Sequence, residues 1–206
     1  MNILLIGEPG SGKGTQAEMV ADKLGLTHFS TGKLFRELKD GREIREIMSE
    51  GDLVPDNKVV ELAEKYLTEN NLYNDLILDG SPRSLYQYLK FKEFFKNHGT
   101  NIDAGIYLRI SENEAIKRLT ARRENKNTGE IYNLLTNPPG PNVHQEDLIQ
   151  RDDDREEAVK ERLKVQKVPE DLLNEMKKDG ILIQIDGERP IDVIFEDIIA
   201  RLKENQ

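Results

Sequence analysis

Residues 7–15 read Gly-Glu-Pro-Gly-Ser-Gly-Lys-Gly-Thr: a glycine, four residues, a second glycine and a lysine. That spacing suits the binding of a polyphosphate. Glycines let consecutive backbone N–H groups converge on phosphate oxygens with no Cβ in the way, and a lysine adds a compact positive charge. Gly10, Ser11, Gly12, Lys13, Gly14 and Thr15 would form the cradle, with Gly14 standing where the general pattern has Ser or Thr. Transfer of a phosphoryl group needs two phosphates held in line and their charge neutralised, with little covalent help from protein. Lys13, Arg36, Arg83, Arg118, Arg122, Arg151 and Arg162 are candidate cations, although any one of these arginines taken singly reads as a charge on a solvated helix surface. Guanidinium suits the task because its planar fork binds phosphate oxygens bidentately. Arg118 and Arg122 are spaced i,i+4, which places them on one face of a helix running to residue 122. Arg151 and Arg162 lie eleven residues apart, about three turns, and share a face if their helix reaches back that far. Asp79 closes an apolar run and could orient Mg²⁺ through its water shell, or simply begin an Asp-Gly turn.

A phosphate loop works only between a strand and a helix. Ile3–Ile6 is a short apolar run stopped by Gly7, and Ala17, Val20, Ala21 and Leu24 then recur at helical spacing before Gly25. Similar strands are expected at Leu76–Leu78, Ala104–Ile110 and Ile181–Ile185. Helical patterns fall at about 56–70, 84–97, 112–122, 154–166, 169–179 and 190–204. Strands alternating with helices imply a parallel sheet covered on both faces, with ligands at the carboxyl ends of its strands. Residues 30–54, with short helical stretches, and 121–154, polar and rich in Gly and Pro, do not fit that alternation. A stretch as long as the second without periodicity reads as a lid or an insertion. Asp152-Asp153-Asp154 is expected to begin a helix, where carboxylates complement the dipole.

Composition narrows the alternatives. The chain has 206 residues and a net charge of −9, so its overall field repels nucleic acid and anionic membrane. It has no cysteine, which removes disulfides, thiolate zinc sites and cysteine nucleophiles. No apolar run approaches the ~20 residues of a membrane span, and the N-terminal stretch lacks the features of a signal peptide, so a cytoplasmic protein is expected. His28 and His144 have no partners in the sequence and read as ordinary polar residues rather than metal ligands.

Several further motifs occur in order: Ser30-Thr31-Gly32 with Arg36; Asp79-Gly80-Ser81-Pro82-Arg83; Gln87; Arg122-Arg123; Gly129; Tyr132; and Asn137-Pro138-Pro139. Arg151 with Asp153-Asp154, Arg162, Asp186-Gly187 and Arg189-Pro190 complete the series. Over nearly its whole length the chain resembles the adenylate kinases, the long-lid nucleoside monophosphate kinases. The resemblance implies a P-loop α/β fold in three layers, a parallel sheet flanked by helices. It implies a core of residues 1–29, 55–120 and 155–206, a helical monophosphate-binding segment at 30–54 and a lid at 121–154. The implied reaction is reversible transfer of the γ-phosphoryl of Mg·ATP to AMP, giving two ADP, by a monomer. Lys13, Arg83, Arg122, Arg151 and Arg162 match the catalytic cations. The phosphate loop, Arg118, Arg122, Ile131, Tyr132 and Arg189 match ATP contacts. Thr31, Arg36, Asp52, Leu53, Val54, Gly80, Ser81, Pro82, Arg83, Gln87, Arg151 and Arg162 match AMP contacts. Asp79 matches the residue that holds Mg²⁺ through water.

The chain departs from the family pattern at definite places. Asn125 and Thr128 occupy the first two positions of the four-cysteine zinc knot that pins many relatives' lids, so no structural zinc is expected. Lys33 stands where the family usually has Asp, Ser81 where it usually has an aromatic, and Thr136 replaces an aromatic in the lid. These changes keep two alternatives open: a kinase with a different donor or acceptor, and an adenylate sensor that binds without turnover.

Overall fold

Residues Asn2–Gly7 form β1, buried throughout. Strand alternation sends Ile3 and Leu5 to one face of the sheet and Leu4 and Ile6 to the other. The computed structural model describes residues 1–38 and 41–204, so residues 39–40 of the expected monophosphate-binding segment and the last two of the core lie outside the described residues. β1 leads through the glycine loop into α1 (Lys13–Leu24), which ends on Gly25. β2 (Thr27–Ser30), α2 (Thr31–Glu37), α3 (Arg42–Ser49) and α4 (Asp56–Glu69) follow. The chain then runs through β3 (Leu76–Asp79), α5 (Leu85–Asn97), β4 (Ala104–Arg109) and α6 (Glu112–Thr120). Next come β5 (Arg122–Asn125), β6 (Ile131–Asn133) and β7 (Leu148–Ile149). α7 (Glu156–Val165), α8 (Glu170–Lys178), β8 (Leu182–Asp186) and α9 (Ile191–Glu204) complete the order.

Five strands make one parallel sheet in the order β2-β3-β1-β4-β8. One face packs on Ala17, Val20 and Ala21 of α1 and Ile194, Ile198 and Leu202 of α9. The other packs on Ala63 and Leu67 of α4, Phe91 and Phe95 of α5, and Leu172 and Met176 of α8. Phe35, Ile44, Val54 and Val59 form a small separate core where α2, α3 and α4 meet. Ser30, Ser84 and Ser111 accept hydrogen bonds from Lys33, Gln87 and Glu114 backbone N–H groups, starting α2, α5 and α6. Among the described residues no helix is long and apolar enough to cross a membrane.

Four sequence expectations need correction. β2 has no apolar run to announce it: only Phe29 of its four residues is buried, as suits an edge strand paired on one side. α6 stops at Thr120, and Arg122 opens β5, so Arg118 and Arg122 do not share a helix face. α7 starts at Glu156, which leaves Arg151 in extended backbone ahead of it. The aspartate triplet forms a separate 3-10 turn before α7, and Asp154 is fully buried there instead of capping the helix. Residues 121–154 also hold more order than their composition suggests: β6-β5-β7 is a small antiparallel sheet. Its two connections to the rest lie together, because Gln150 donates through Nε2 to the carbonyls of both Thr120 (3.3 Å) and Asp154 (2.9 Å).

Candidate active site

The glycine loop emerges at the carboxyl end of β1, between β3 and β4. Gly12 takes a left-handed conformation (φ 85°) immediately before α1, a turn that an L side chain would strain. Lys13 follows on the first turn of α1, and its Nζ donates to the Glu8 carbonyl at 3.3 Å. Ser11 Oγ is buried and makes no hydrogen bond among the described residues.

Arg83 faces this loop from beyond β3. Its Nε donates to the Gly80 carbonyl at 2.9 Å, and Nη1 donates to Gln166 Oε1 at 2.7 Å. The backbone N–H of Arg83 donates to Gln87 Oε1, while Gln87 Nε2 donates to Asp56. Gln87, buried, therefore spends its whole amide on holding this corner. Ile6, Lys13, Leu53, Gly80, Pro82 and Arg83 share the lining of one narrow cleft, into which Gln166 also projects. Thr31 and Ser81 are buried behind it, with the Ser81 hydroxyl donating to Thr31 at 3.3 Å. Val54 packs into the small core between α2 and α4, and Asp52 is exposed.

The remaining arginines arrive from β5 and from the chain around α7. Arg122 makes a two-pronged bond to Asp154, 2.7 Å on each arm. Arg162, buried, reaches Asp153 Oδ2 at 2.9 Å and Asp154 Oδ1 at 3.2 Å. Arg151 pairs with Glu124 of β5. So the triplet read as a helix start anchors two arginines through Asp153 and Asp154, which stood in the motif series without a site role, while Glu124 and Gln166 carried no mark in the sequence.

Proton affinities report how tightly these charges are gathered. Burial and then the charge of Arg83 lower Lys13 to about 7, with Arg162 and Arg122 adding to the effect and Asp79 opposing it. Burial and then Arg162 lower Arg83 to about 10. Arg36 is lowered to about 10 by desolvation and then by Arg151, although its outer surface remains open to solvent. Arg162 is also lowered, by burial, in spite of its carboxylates. Arg122 alone among them moves up: burial works against its charge, and the paired Asp154 more than restores it. Lys13, Arg36, Arg83, Arg122, Arg151 and Arg162 are thus close enough to repel one another.

Asp79 lies at the edge of this group, its Oδ2 3.6 Å from where a Cβ on Gly14 would stand. Burial pushes its carboxyl up, but the His28 ring, 3.7 Å away through Nε2, and the Lys13 charge outweigh that and hold it below the usual range. Asp79 Oδ1 is buried with no hydrogen-bond partner among the described residues. Other expected contacts stand apart. Arg118 bonds Glu114 and the Gly187 carbonyl, tying α6 to the turn before α9. Arg189 pairs with Asp197 of α9 at 2.6 Å. Ile131 is partly exposed on β6, while Tyr132 is buried and donates to Glu130. At the tip of this small sheet, Asn125 Oδ1 accepts from the N–H groups of Asn127 and Thr128, and Thr128 Oγ1 accepts from Glu130.

Comparison with known proteins agrees with this geometry. The adenylate kinase family model matches residues 5–181. The chain is 38% identical to an adenylate kinase of Archaeoglobus fulgidus over 213 residues, covering 98% of each. It is 35% identical to that of Shouchella clausii, covering 100% of each, and 38% identical to that of Oceanobacillus iheyensis, covering 98% and 99%. A phosphate loop between β1 and α1, cations converging on it from three directions and similarity along the whole chain lead to one assignment: this protein belongs to the adenylate kinase family.

Proposed function

We propose that the chain transfers the γ-phosphoryl group of ATP reversibly to AMP, giving two ADP. The observation that carries this reading is the gathering of Arg83, Arg122 and Arg162 around the phosphate-loop lysine Lys13, which burial and these charges lower to about 7. So much positive charge in one cleft is stabilised by a polyanion, and two nucleotides meeting end to end present one. An ionised acceptor phosphate needs no general base, so the protein's work is positioning and electrostatic stabilisation.

In this reading residues 10–15 hold the donor phosphates, with Lys13 following the transferred group. Arg83 and Arg36 grip the acceptor phosphate from the core side and from α2. Arg122, Arg151 and Arg162 close over the transferring group from the lid side. Arg118, Ile131, Tyr132 and Arg189 serve the donor nucleotide farther out. Thr31, Asp52, Leu53, Val54, Gly80, Ser81, Pro82 and Gln87 surround the acceptor. The working parts are a core of 1–29, 55–120 and 155–206, an acceptor segment of 30–54 and a lid of 121–154. Closure of the last two would exclude water, the competing acceptor.

The orphaned oxygen of Asp79 suits Mg²⁺, a hard cation that keeps much of its water shell, so Asp79 would hold the ion through water. Bound with the nucleotide, Mg²⁺ would neutralise charge on the phosphate oxygens. Asn125 fills the position of a zinc ligand with a side chain already committed to backbone N–H groups, which supports a lid pinned by hydrogen bonds. We place the enzyme in the cytoplasm as a monomer. ADP formation from ATP plus AMP with Mg²⁺ tests the reading: rapid production that is lost in Lys13→Met supports it, and silence of the natural chain overturns it. A second reading, a changed acceptor base, rests on the small buried Ser81 beside Thr31, and a panel of monophosphates at equal concentration separates the two.

A further inference from the structure

Gln166, the residue that ends α7, lies between the acceptor segment and the core and bonds to both. Its Oε1 accepts from Arg83 Nη1 at 2.7 Å, and its Nε2 donates to the Gly51 carbonyl at 2.7 Å. Both ends of one amide are therefore spent on groups far apart in sequence. Gly51 is fitted to this contact. It follows α3 in a left-handed conformation, and a Cβ there would come within 2.7 Å of Arg162 Cγ and 3.3 Å of the Ala158 carbonyl. Only a glycine lets this backbone lie against α7, so the Gly51 carbonyl reaches Gln166 while Arg162 packs beneath it.

Arg83 is the other end of the link. With Nε on Gly80 and Nη1 on Gln166, two of the three guanidinium nitrogens are engaged, and among the described residues Nη2 donates to nothing. That nitrogen is the one left for a phosphate. We propose that Gln166 is a positioning residue that couples docking of the acceptor segment to the orientation of Arg83. When residues 42–54 swing onto α7, the Gly51 carbonyl takes one end of the amide and thereby presents the other end to Arg83. The acceptor's arginine is thus aimed only when the acceptor's own segment is seated. This rests on the proposed reaction for its kinetic consequence but not for the contact itself.

Gln166→Met tests it, because methionine fills nearly the same space and forms neither hydrogen bond. Each lost bond is of ordinary neutral or singly charged strength, so KM for AMP is expected to rise about 3- to 10-fold while KM for ATP stays within about twofold. The melting temperature should hold. Gln166→Glu keeps an acceptor for Arg83 but sets a carboxylate against the Gly51 carbonyl, and it should raise KM for AMP as well. Amide hydrogen exchange at residues 42–54 of the nucleotide-free protein reads the same link without turnover and should quicken in both variants. A role in stability alone predicts both KM values moving together with the melting temperature, and that result would overturn the proposal. Unchanged exchange and unchanged KM for AMP in Gln166→Met would also overturn it. A natural chain that makes no ADP removes the proposed reaction, and the exchange measurement then decides on Gln166 by itself.

Discussion

The two sides of the cleft hold their positive charge in opposite ways. On the lid side, Arg122, Arg151 and Arg162 are each paired with a carboxylate: Asp154, Glu124 and Asp153 with Asp154. On the core side, Lys13 and Arg83 bond, among the described residues, only to carbonyls and to a neutral amide. Arg122 is raised by its partner, although burial still lowers Arg162, whereas Lys13 falls to about 7 and Arg83 to about 10. The lid side carries its counterions within the fold, so its arginines are already held in place by ion pairs. The core side has Asp79 nearby but, among the described residues, no ion pair to Lys13 or Arg83, so its cations are at their most favourable only when phosphate arrives. Pre-paired charges give placement; unpaired charges give binding strength that appears when the site fills.

Removing one unpaired cation should have the largest consequence. Lys13→Met is expected to lower kcat by roughly 10²–10³-fold or more, as for the loss of a group aimed at developing charge. A variant retaining more than a tenth of the natural rate in a steady-state ADP assay would erase the distinction between the two sides.

On the paired side the first casualty should be the fold. Asp154→Ala leaves Arg122 and Arg162 without their shared buried partner, a type of change that costs about 3–5 kcal/mol. Denaturant midpoints will show it. An unchanged midpoint would mean that the pairs serve the ligand rather than the structure.

Titration offers a gentler probe. Because the folded-state pKa of Lys13 is depressed from 10.5 to about 7, the unfolded chain binds the extra proton between those values. Stability of the nucleotide-free protein should therefore carry a component that rises with pH from about 7 to about 10.5 and is absent below. Comparing melting temperatures of the natural chain and Lys13→Met across that range isolates this component from other titrating groups. A bound bisubstrate polyphosphate should flatten it.

The smallest change is expected at the lid tip. Asn125→Ala removes an acceptor shared by two backbone N–H groups, a loss of about 1 kcal/mol confined to the small sheet. Hydrogen exchange should quicken in residues 122–133 and 145–149 and remain unchanged in β1 and β3.

Sequence patterns carried four of the five strands of the central sheet and the strand-loop-helix order around Lys13, because both follow from local rules: apolar runs mark buried parallel strands, and glycine spacing marks the phosphate loop. β2 escaped because an edge strand with one buried residue has no such run. Arg122 was set on a helix because i,i+4 spacing cannot reveal that the chain leaves the helix at Thr120. Asp154 read as a cap because its partners, Arg122 and Arg162, are brought to it only by folding. Gln166 had no signal: a lone glutamine beside a helix end resembles any surface residue until Gly51 and Arg83 stand on either side of it.

The insertion of residues 121–154, the proposed lid, begins and ends at one place, where Gln150 spans the carbonyls of Thr120 and Asp154. Such an insertion behaves as an exchangeable cassette. Its length can drift at little cost, since closing a longer loop between fixed ends adds entropy only logarithmically. Its internal fastening by Asn125 is confined to the small sheet, so it can change while the register of the five-stranded sheet stays untouched.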